Sequence, residues 1–206
     1  MKTLAILSRK GGTGKTTIAV HLAVAAEKAG HITALIDLDP QASAVSWSDK
    51  REMDTPTVIS AHSSRLPALL KKAEDSGVDM AIIDTAAHAE TSALAAARVA
   101  TIALIPCRPA SLDLIAIGAT VDVVKLADVP ARVVLNGTPA RGKLTDEARS
   151  AIESYGVPCA PCSLGHRMAF VHALIDGLTV QETEPRSKAS SEIRALYKYL
   201  AKEMEV

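Results

Sequence analysis

The sequence predicts an α/β fold: a doubly wound, mostly parallel sheet flanked by helices. Short apolar runs alternate with longer helical patterns, which is the order of β-α-β units. Only 2% of the residues are aromatic although 48% are hydrophobic, so Ala, Val, Ile and Leu must fill the core, as is usual for helices packed on a parallel sheet. The segment SRKGGTGKTT (8–17) directly follows the first apolar run, so a glycine-rich loop joins a strand to a helix.

The sequence predicts seven strands and five helices along the chain. The apolar run TLAILS (3–8) predicts the first strand. Residues 16–29 predict a helix because Ile18 and Leu22 recur at helical spacing, and Gly30 ends it. Further apolar runs predict strands over 32–39, 80–85, 100–106, 132–136 and 156–163, with a weaker, edge-like strand over 55–60. Helical patterns cover 66–75, 112–127, 144–155 and 187–203.

Length and charge limit the possible functions. A chain of 206 residues is most simply one domain. Basic and acidic side chains balance at 23 each, so any DNA binding must come from a local patch. No apolar run reaches the roughly 18 residues of a membrane span, and the N-terminal residues lack a signal-peptide cleavage site. We therefore expect a cytoplasmic protein.

The glycine-rich loop has the chemistry of a phosphate cradle. Gly11, Gly12 and Gly14 let successive backbone N–H groups turn toward an anion without a Cβ in the way. The following helix directs its positive end at the same point. Lys15 can reach the outer phosphates, and the Thr16 hydroxyl is placed to ligate Mg²⁺.

One position departs from the usual pattern G-x-x-x-x-G-K-[ST]. The first glycine of that pattern falls at position 9, which is Arg9, and a second lysine, Lys10, stands at the head of the loop. The loop therefore carries one cation more than a phosphate cradle needs.

Carboxylates follow two of the predicted strands. Asp84 ends the run MAIIDT and suits a metal-side aspartate. Asp37 and Asp39 end the run ITALIDLD, where strand C-termini line the ligand crevice of a doubly wound sheet. One of these two carboxylates can orient an attacking water molecule.

The three cysteines leave alternatives open. Cys107 is isolated, whereas Cys159 and Cys162 form a Cys-x-x-Cys pair near His166. A structural zinc site usually needs four ligands, and the chain has no second pair. The pair can be buried strand residues, a redox pair, or ligands of a metal shared across a dimer.

Three motifs resemble the deviant Walker ATPases of the ParA/MinD superfamily: KGGTGKTT (10–17), DLDPQAS (37–43) and IIDT (82–85). The segments IPCRPASLDLIAIG (105–118) and 166–193 are similar to small ParA partition ATPases, the ParF-like subgroup. The similarity runs almost end to end, and this subgroup has no separate N-terminal DNA-binding domain.

The resemblance implies a P-loop ATPase with ATP or ADP and Mg²⁺ as cofactors. Lys10 corresponds to the signature lysine that reaches the phosphates of the other subunit in a nucleotide-sandwich homodimer. Lys15 and Asp39 complete the implied catalytic set, Asp39 as the water-positioning residue, whereas Asp37 looks structural. The implied nucleotide contacts are Lys10, Gly11, Gly12, Thr13, Gly14, Lys15, Thr16, Thr17 and, near adenine, Asn136, with Thr16 and Asp84 on the metal side.

Residues 85–88 depart from the family pattern. They read TAAH where many relatives have a proline or glycine, and His88 has no role that the sequence assigns.

The resemblance also implies partners. We expect an ATP-bound homodimer that binds DNA non-specifically and is associated with the nucleoid. The candidate phosphate contacts are Arg167, Arg186, Lys188 and Arg194, with Arg141 and Lys143 in a loop. A centromere-binding ParB/ParG-like protein or a cargo adaptor would stimulate hydrolysis. The C-terminal helix lacks the basic cluster and bulky anchors of a membrane helix, so we expect no membrane binding.

Rival functions remain open. The same ATPase could position a protein cargo of the carboxysome or chemoreceptor type. An iron–sulfur carrier could instead use Cys159 and Cys162. A third possibility is a module that holds ATP and barely hydrolyses it.

Overall fold

A computed structural model describes residues 1–87 and 89–206, and it contains a seven-stranded sheet in the order β3-β2-β4-β1-β5-β6-β7. All the strand pairs are parallel. The strands are β1 (Lys2–Ile6), β2 (Thr33–Asp37), β3 (Thr57–Ser60), β4 (Met80–Asp84), β5 (Ile102–Cys107), β6 (Ala131–Thr138) and β7 (Cys159–Gly165). The predicted doubly wound parallel sheet is therefore confirmed, with β3 at one edge.

Helices connect the strands and cover both faces of the sheet. They are α1 (Lys15–Lys28), α2 (Ser43–Ser48), α3 (Leu66–Asp75), α4 (Glu90–Val99), α5 (Ser111–Ala127), α6 (Leu144–Glu153), α7 (Met168–Ile175), α8 (Val180–Thr183) and α9 (Lys188–Met204). In the part of the chain that the structure describes, no helix is both long and apolar enough to cross a membrane.

Two hydrophobic cores lie on opposite faces of the sheet. One core packs α1, α2, α7, α8 and α9 against the sheet, and the other packs α3, α4, α5 and α6. Neighbouring residues of β1 alternate between them, since Leu4 and Ile6 join the first core and Ala5 joins the second. This alternation is the period of two expected of a strand covered on both sides.

The sequence patterns missed four short or alanine-rich helices. Helix α4 buries Ala93, Ala96 and Ala97, whose small side chains give a weak apolar pattern. Helix α8 has only four residues. The last strand begins at Cys159 instead of Gly156, and its pairing with β6 contains register shifts, which an apolar run cannot reveal.

The strand register sets the position of the functional residues. Ile6 of β1 pairs with Asp84 of β4, and Asp84 pairs with Asp37 of β2. The loop after β1 therefore lies at the same edge of the sheet as both aspartates. In open α/β sheets this carboxyl edge is where ligands bind.

Candidate phosphate-binding site

Glycine is required at two positions of the loop. Gly12 and Gly14 have φ values of 72° and 92°, which side chains with a Cβ rarely adopt. A Cβ on Gly14 would also collide with the side-chain amide of Asn136. The Asn136 amide donates a hydrogen bond of 2.7 Å to the carbonyl of Thr13. Asn136 on β6 thus braces the loop, and its predicted contact with adenine stays a prediction.

Lys15 begins helix α1 and lies almost buried, with 7% of its surface exposed. Burial lowers the pKa of its ammonium, and the nearby carboxylates Asp84 and Asp39 oppose this shift. A cation held in such a place stabilises an anion strongly, because little water screens the pair.

Thr16 and Asp84 form a candidate Mg²⁺ site. The Thr16 hydroxyl donates a hydrogen bond of 2.6 Å to Oδ2 of Asp84. The other oxygen, Oδ1, is buried and has no hydrogen-bond partner among the described residues. Burial raises the pKa of Asp84 to about 7, although the Thr16 hydrogen bond opposes that rise. A hydroxyl and a carboxylate with a free oxygen suit Mg²⁺, which takes few protein ligands beside phosphates and water.

The raised pKa of Asp84 predicts a pH-dependent stability. Between pH 4 and 7 the folded protein holds a proton on Asp84 that the unfolded chain releases, so the free energy of unfolding falls as pH rises through this window. Asp84→Asn removes this penalty. We expect the variant without nucleotide to gain on the order of 2–4 kcal/mol at pH 8 and little at pH 4.

Urea unfolding of the wild type and Asp84→Asn at the two pH values measures this difference. The same variant should lose the Mg²⁺ dependence of ATP binding, since the amide cannot replace the carboxylate. An equal stability change at both pH values would contradict the assignment of the proton to Asp84.

Asp37 and Asp39 have different environments. The Asp37 carboxylate is fully buried and accepts hydrogen bonds of 2.9 Å from the N–H groups of Asp39 and Ala44. Burial raises its pKa, and these backbone hydrogen bonds counteract the rise. Asp39 is half-buried, and its Oδ1 accepts a hydrogen bond from the N–H of Gln41. Asp37 thus shapes the turn that presents Asp39, which agrees with its expected structural role.

Lys10 is held by its own chain. Its Nζ lies 2.8 Å from Oδ2 of Asp113, in the first turn of α5. The Lys10 side chain is 34% exposed and that of Asp113 is 10% exposed. The resemblance assigns Lys10 to a partner's phosphates, so this ion pair must open before the lysine can act there.

Buried polar contacts connect helix α1 and the turn after α2 to α8. The His21 ring contacts the Thr17 carbonyl through Nδ1 at 2.7 Å and accepts from the Val180 N–H through Nε2 at 3.2 Å. Burial lowers the His21 pKa to about 4, so the ring is neutral. The Arg51 guanidinium is paired with Glu182 at 2.9 Å. These contacts fix the helix that follows the loop against the C-terminal half of the chain.

The predicted DNA-contacting residues are placed unequally. Arg186 and Lys188 are exposed at the start of α9. Arg194 is exposed too, although it donates hydrogen bonds to the Pro185 carbonyl and the Ser190 hydroxyl. The loop cations Arg141 and Lys143 are exposed.

Arg167 differs from the other candidates because it forms an ion pair within its own chain. Its guanidinium forms two hydrogen bonds with the Glu192 carboxylate, which satisfies its charge within the chain. The predicted DNA contact of Arg167, which would require this ion pair to open, stays a prediction.

Two further lysines extend the candidate DNA-contacting surface. Lys198 and Lys202 are exposed on α9, four and eight residues after Arg194. At 3.6 residues per turn, Lys188, Arg194, Lys198 and Lys202 lie within a sector of about 120° and along about 20 Å of the helix. The opposite side carries the buried Ile193, Leu196, Leu200 and Met204. We call these four cations the α9 basic stripe. The sequence signal for Lys198 and Lys202 is that they follow Arg194 at intervals of four residues.

The cysteine pair cannot act as one site within this chain. Cys159 packs against one core and Cys162 against the other, so their side chains lie on opposite faces of β7. Burial raises the pKa of both thiols. Within residues 1–87 and 89–206, no three His, Cys, Asp or Glu side chains are grouped for a metal ion. The iron–sulfur alternative, in which the two cysteines bridge a cluster across a dimer, stays a prediction. His88 lies outside the described residues.

Comparison with known proteins agrees with this arrangement. Residues 4–180 match the family described as the CobQ/CobB/MinD/ParA nucleotide binding domain. A relative from Gloeobacter kilaueensis, the maintenance of carboxysome distribution protein A, is 30% identical over 99% of this chain and 94% of its own length. The protein of the same name from Halothiobacillus neapolitanus is 28% identical over 92% of this chain and 91% of its own length.

A solved structure has a similar fold. The septum site-determining protein MinD from Pyrococcus horikoshii, in complex with Mg-ADP, superimposes with a TM-score of 0.82. The match covers 98% of this chain and 96% of the other, at 19% sequence identity. This likeness supports the fold.

Proposed function

This chain belongs to the CobQ/CobB/MinD/ParA family, and we propose that it positions a cargo on DNA. It is a ParA/MinD-type ATPase that uses ATP or ADP and Mg²⁺. The observation that carries the DNA part is the α9 basic stripe. It concentrates four exposed cations on one helix of a chain whose net charge is zero. A local cationic surface of this kind suits phosphates.

We assign the nucleotide to the loop of residues 10–17. The backbone N–H groups between Gly11 and Thr16 bind the phosphates, and the buried Lys15 ammonium neutralises them. The Thr16 hydroxyl and the Asp84 carboxylate hold Mg²⁺. ATP with Mg²⁺ supplies the transferable phosphoryl group and the charge that this cradle is built to hold.

Hydrolysis requires two subunits in this proposal. Asp39 orients the attacking water in its own subunit, since it is half-buried and near enough to Lys15 of the loop for its charge to act on that ammonium. Lys10 of one subunit stabilises charge on the phosphoryl oxygens bound to the other, as an arginine finger does. The dimer therefore forms with ATP and separates after hydrolysis.

DNA binding follows dimer formation because two stripes act together. One stripe gives few phosphate contacts and weak binding, whereas a dimer doubles them and gains from multivalency. Binding should therefore appear with a non-hydrolysable ATP analogue, be weak with ADP or no nucleotide, and decrease with salt.

We predict that Lys198→Glu/Lys202→Glu lowers the DNA affinity of the analogue-bound protein at least tenfold at moderate salt, because it removes two cations per subunit and adds two anions. Fluorescence anisotropy with a short duplex of arbitrary sequence measures this. Nucleotide binding should stay unchanged.

The matched control is Lys72→Glu/Lys125→Glu, which reverses two exposed lysines on α3 and α5 of the other helix layer. This control has the same net charge as the stripe variant. An equal loss of DNA binding in both variants would assign the effect to net charge and overturn the stripe as the contact surface.

The cargo is a separate part of the proposal. If the partner is a centromere-binding ParB/ParG-like protein, the cargo is a plasmid or chromosome. If the partner is a cargo adaptor, the cargo is a protein body. The names of the two relatives, both carboxysome distribution proteins, favour the protein body. Deletion of the gene distinguishes them: a partition role predicts loss of a replicon, and a protein-cargo role predicts clustering of that body with normal replicon inheritance.

A further inference from the structure

The ion pair between Lys10 and Asp113 joins the loop to a helix far away in sequence. The two residues are 103 positions apart, and Nζ lies 2.8 Å from Oδ2. Asp113 is nearly buried, with 10% of its side chain exposed, so its carboxylate has little water to replace the lysine. A pair in this setting holds the lysine more firmly than a fully exposed pair would.

A second contact fixes the same part of the loop. The backbone N–H of Arg9 donates a hydrogen bond of 3.1 Å to the Thr120 hydroxyl, two turns further along α5. The Ser8 hydroxyl and the Lys10 backbone also lie within hydrogen-bond distance, at 3.3 Å. These contacts fix residues 9 and 10 of the loop to α5, and the ion pair with Asp113 orients the Lys10 ammonium.

The first turn of α5 also exposes apolar side chains. Leu112 and Ile115 flank Asp113 and are 74% and 69% exposed. A second copy that covers this turn would have direct access to the ion pair. The surface next to the lysine is therefore suited to an interface, while the lysine itself is held back within its own subunit.

We propose that Asp113 is a positioning residue that holds the Lys10 ammonium within its own subunit while that subunit is monomeric. The ion pair opens when two subunits close around ATP. This inference rests on the proposed action of Lys10 across the dimer. Opening the pair is part of the free energy of dimer formation, so the pair keeps dimers scarce and basal hydrolysis low until the subunits meet.

Asp113→Asn keeps the size of the side chain and removes its charge. We expect the protein concentration at which half of the subunits dimerise with a non-hydrolysable ATP analogue to fall about threefold to tenfold, which lies within the range for losing two such pairs, one in each subunit. Basal ATP turnover at low protein concentration should rise by a similar factor. Analytical ultracentrifugation and a phosphate-release assay measure these changes.

Two controls make the role of Asp113 specific. Asp122→Asn removes the same charge from an exposed position of the same helix, and it should change neither quantity. In a Lys10→Ala background, Asp113→Asn should no longer shift the dimerisation midpoint, because there is no lysine left to store. A role of Asp113 in folding alone would not depend on Lys10.

Three results would overturn the proposal: an unchanged midpoint in Asp113→Asn, a fall in turnover, or a shift of equal size in the Lys10→Ala background. A different result would show that the proposed action of Lys10 across the dimer is wrong. If Lys10→Ala alone hydrolyses ATP at the wild-type rate, the action of Lys10 across the dimer is wrong, whatever Asp113→Asn does.

Discussion

Replacing Lys10 with alanine is expected to lower ATP turnover at least a hundredfold, while ATP affinity stays within about threefold of the wild type. The two effects separate because Lys10 pairs with Asp113 and does not contribute its charge to its own loop. A group that acts only on the transition state lowers kcat without weakening binding. Single-turnover hydrolysis and titration with a fluorescent ATP analogue measure the two quantities.

Lys15→Ala provides the contrasting control for this experiment. Its ammonium lies inside the cradle, so its loss should abolish nucleotide binding, and turnover with it. If Lys10→Ala hydrolyses ATP normally, or loses binding as Lys15→Ala does, the separate role of Lys10 is contradicted.

The second large effect concerns Asp39. Asp39→Ala is expected to slow hydrolysis at least a hundredfold, since a positioned base or water-orienting group contributes about 10²–10⁴. ATP should then remain bound, and the protein should stay dimeric in ATP for far longer than the wild type. Sedimentation of the variant in ATP, with no analogue present, tests this directly.

Asp37→Asn is the matched comparison, two positions earlier in the same turn. Asp37 accepts two backbone hydrogen bonds at a fully buried position, so we expect a loss of about 1–3 kcal/mol in the free energy of unfolding. An Asp39→Ala variant that is monomeric in ATP, or that is destabilised as much as Asp37→Asn, would contradict the role of Asp39.

The fold was largely predictable because its signals are local. Apolar runs and their alternation with helical patterns predict all seven strands and most of the long helices. The prediction failed for α4, where small alanines replace larger apolar residues, and at β7, where pairing with β6 includes register shifts. Such features depend on tertiary packing, which a single sequence does not reveal.

The site was predictable only where its chemistry lies in contiguous motifs. Residues 10–17 are recognisable because the cradle is built from consecutive backbone groups. The pairing of Lys10 with Asp113 joins residues 103 positions apart, and no local pattern marks it. The neutralisation of Arg167 by Glu192 is equally non-local, since it depends on where α9 packs against the end of β7.

Mixing two inactive variants tests the ATP-dependent dimer most directly. A Lys10→Ala subunit keeps Asp39, and an Asp39→Ala subunit keeps Lys10, so one complete site forms only when the two kinds pair. At a one-to-one ratio with random pairing, the mixture should recover about a quarter of wild-type turnover, because half of the dimers carry one working site of two. No recovery at any ratio, with mixed dimers shown to form in an ATP analogue, would contradict hydrolysis shared between two subunits.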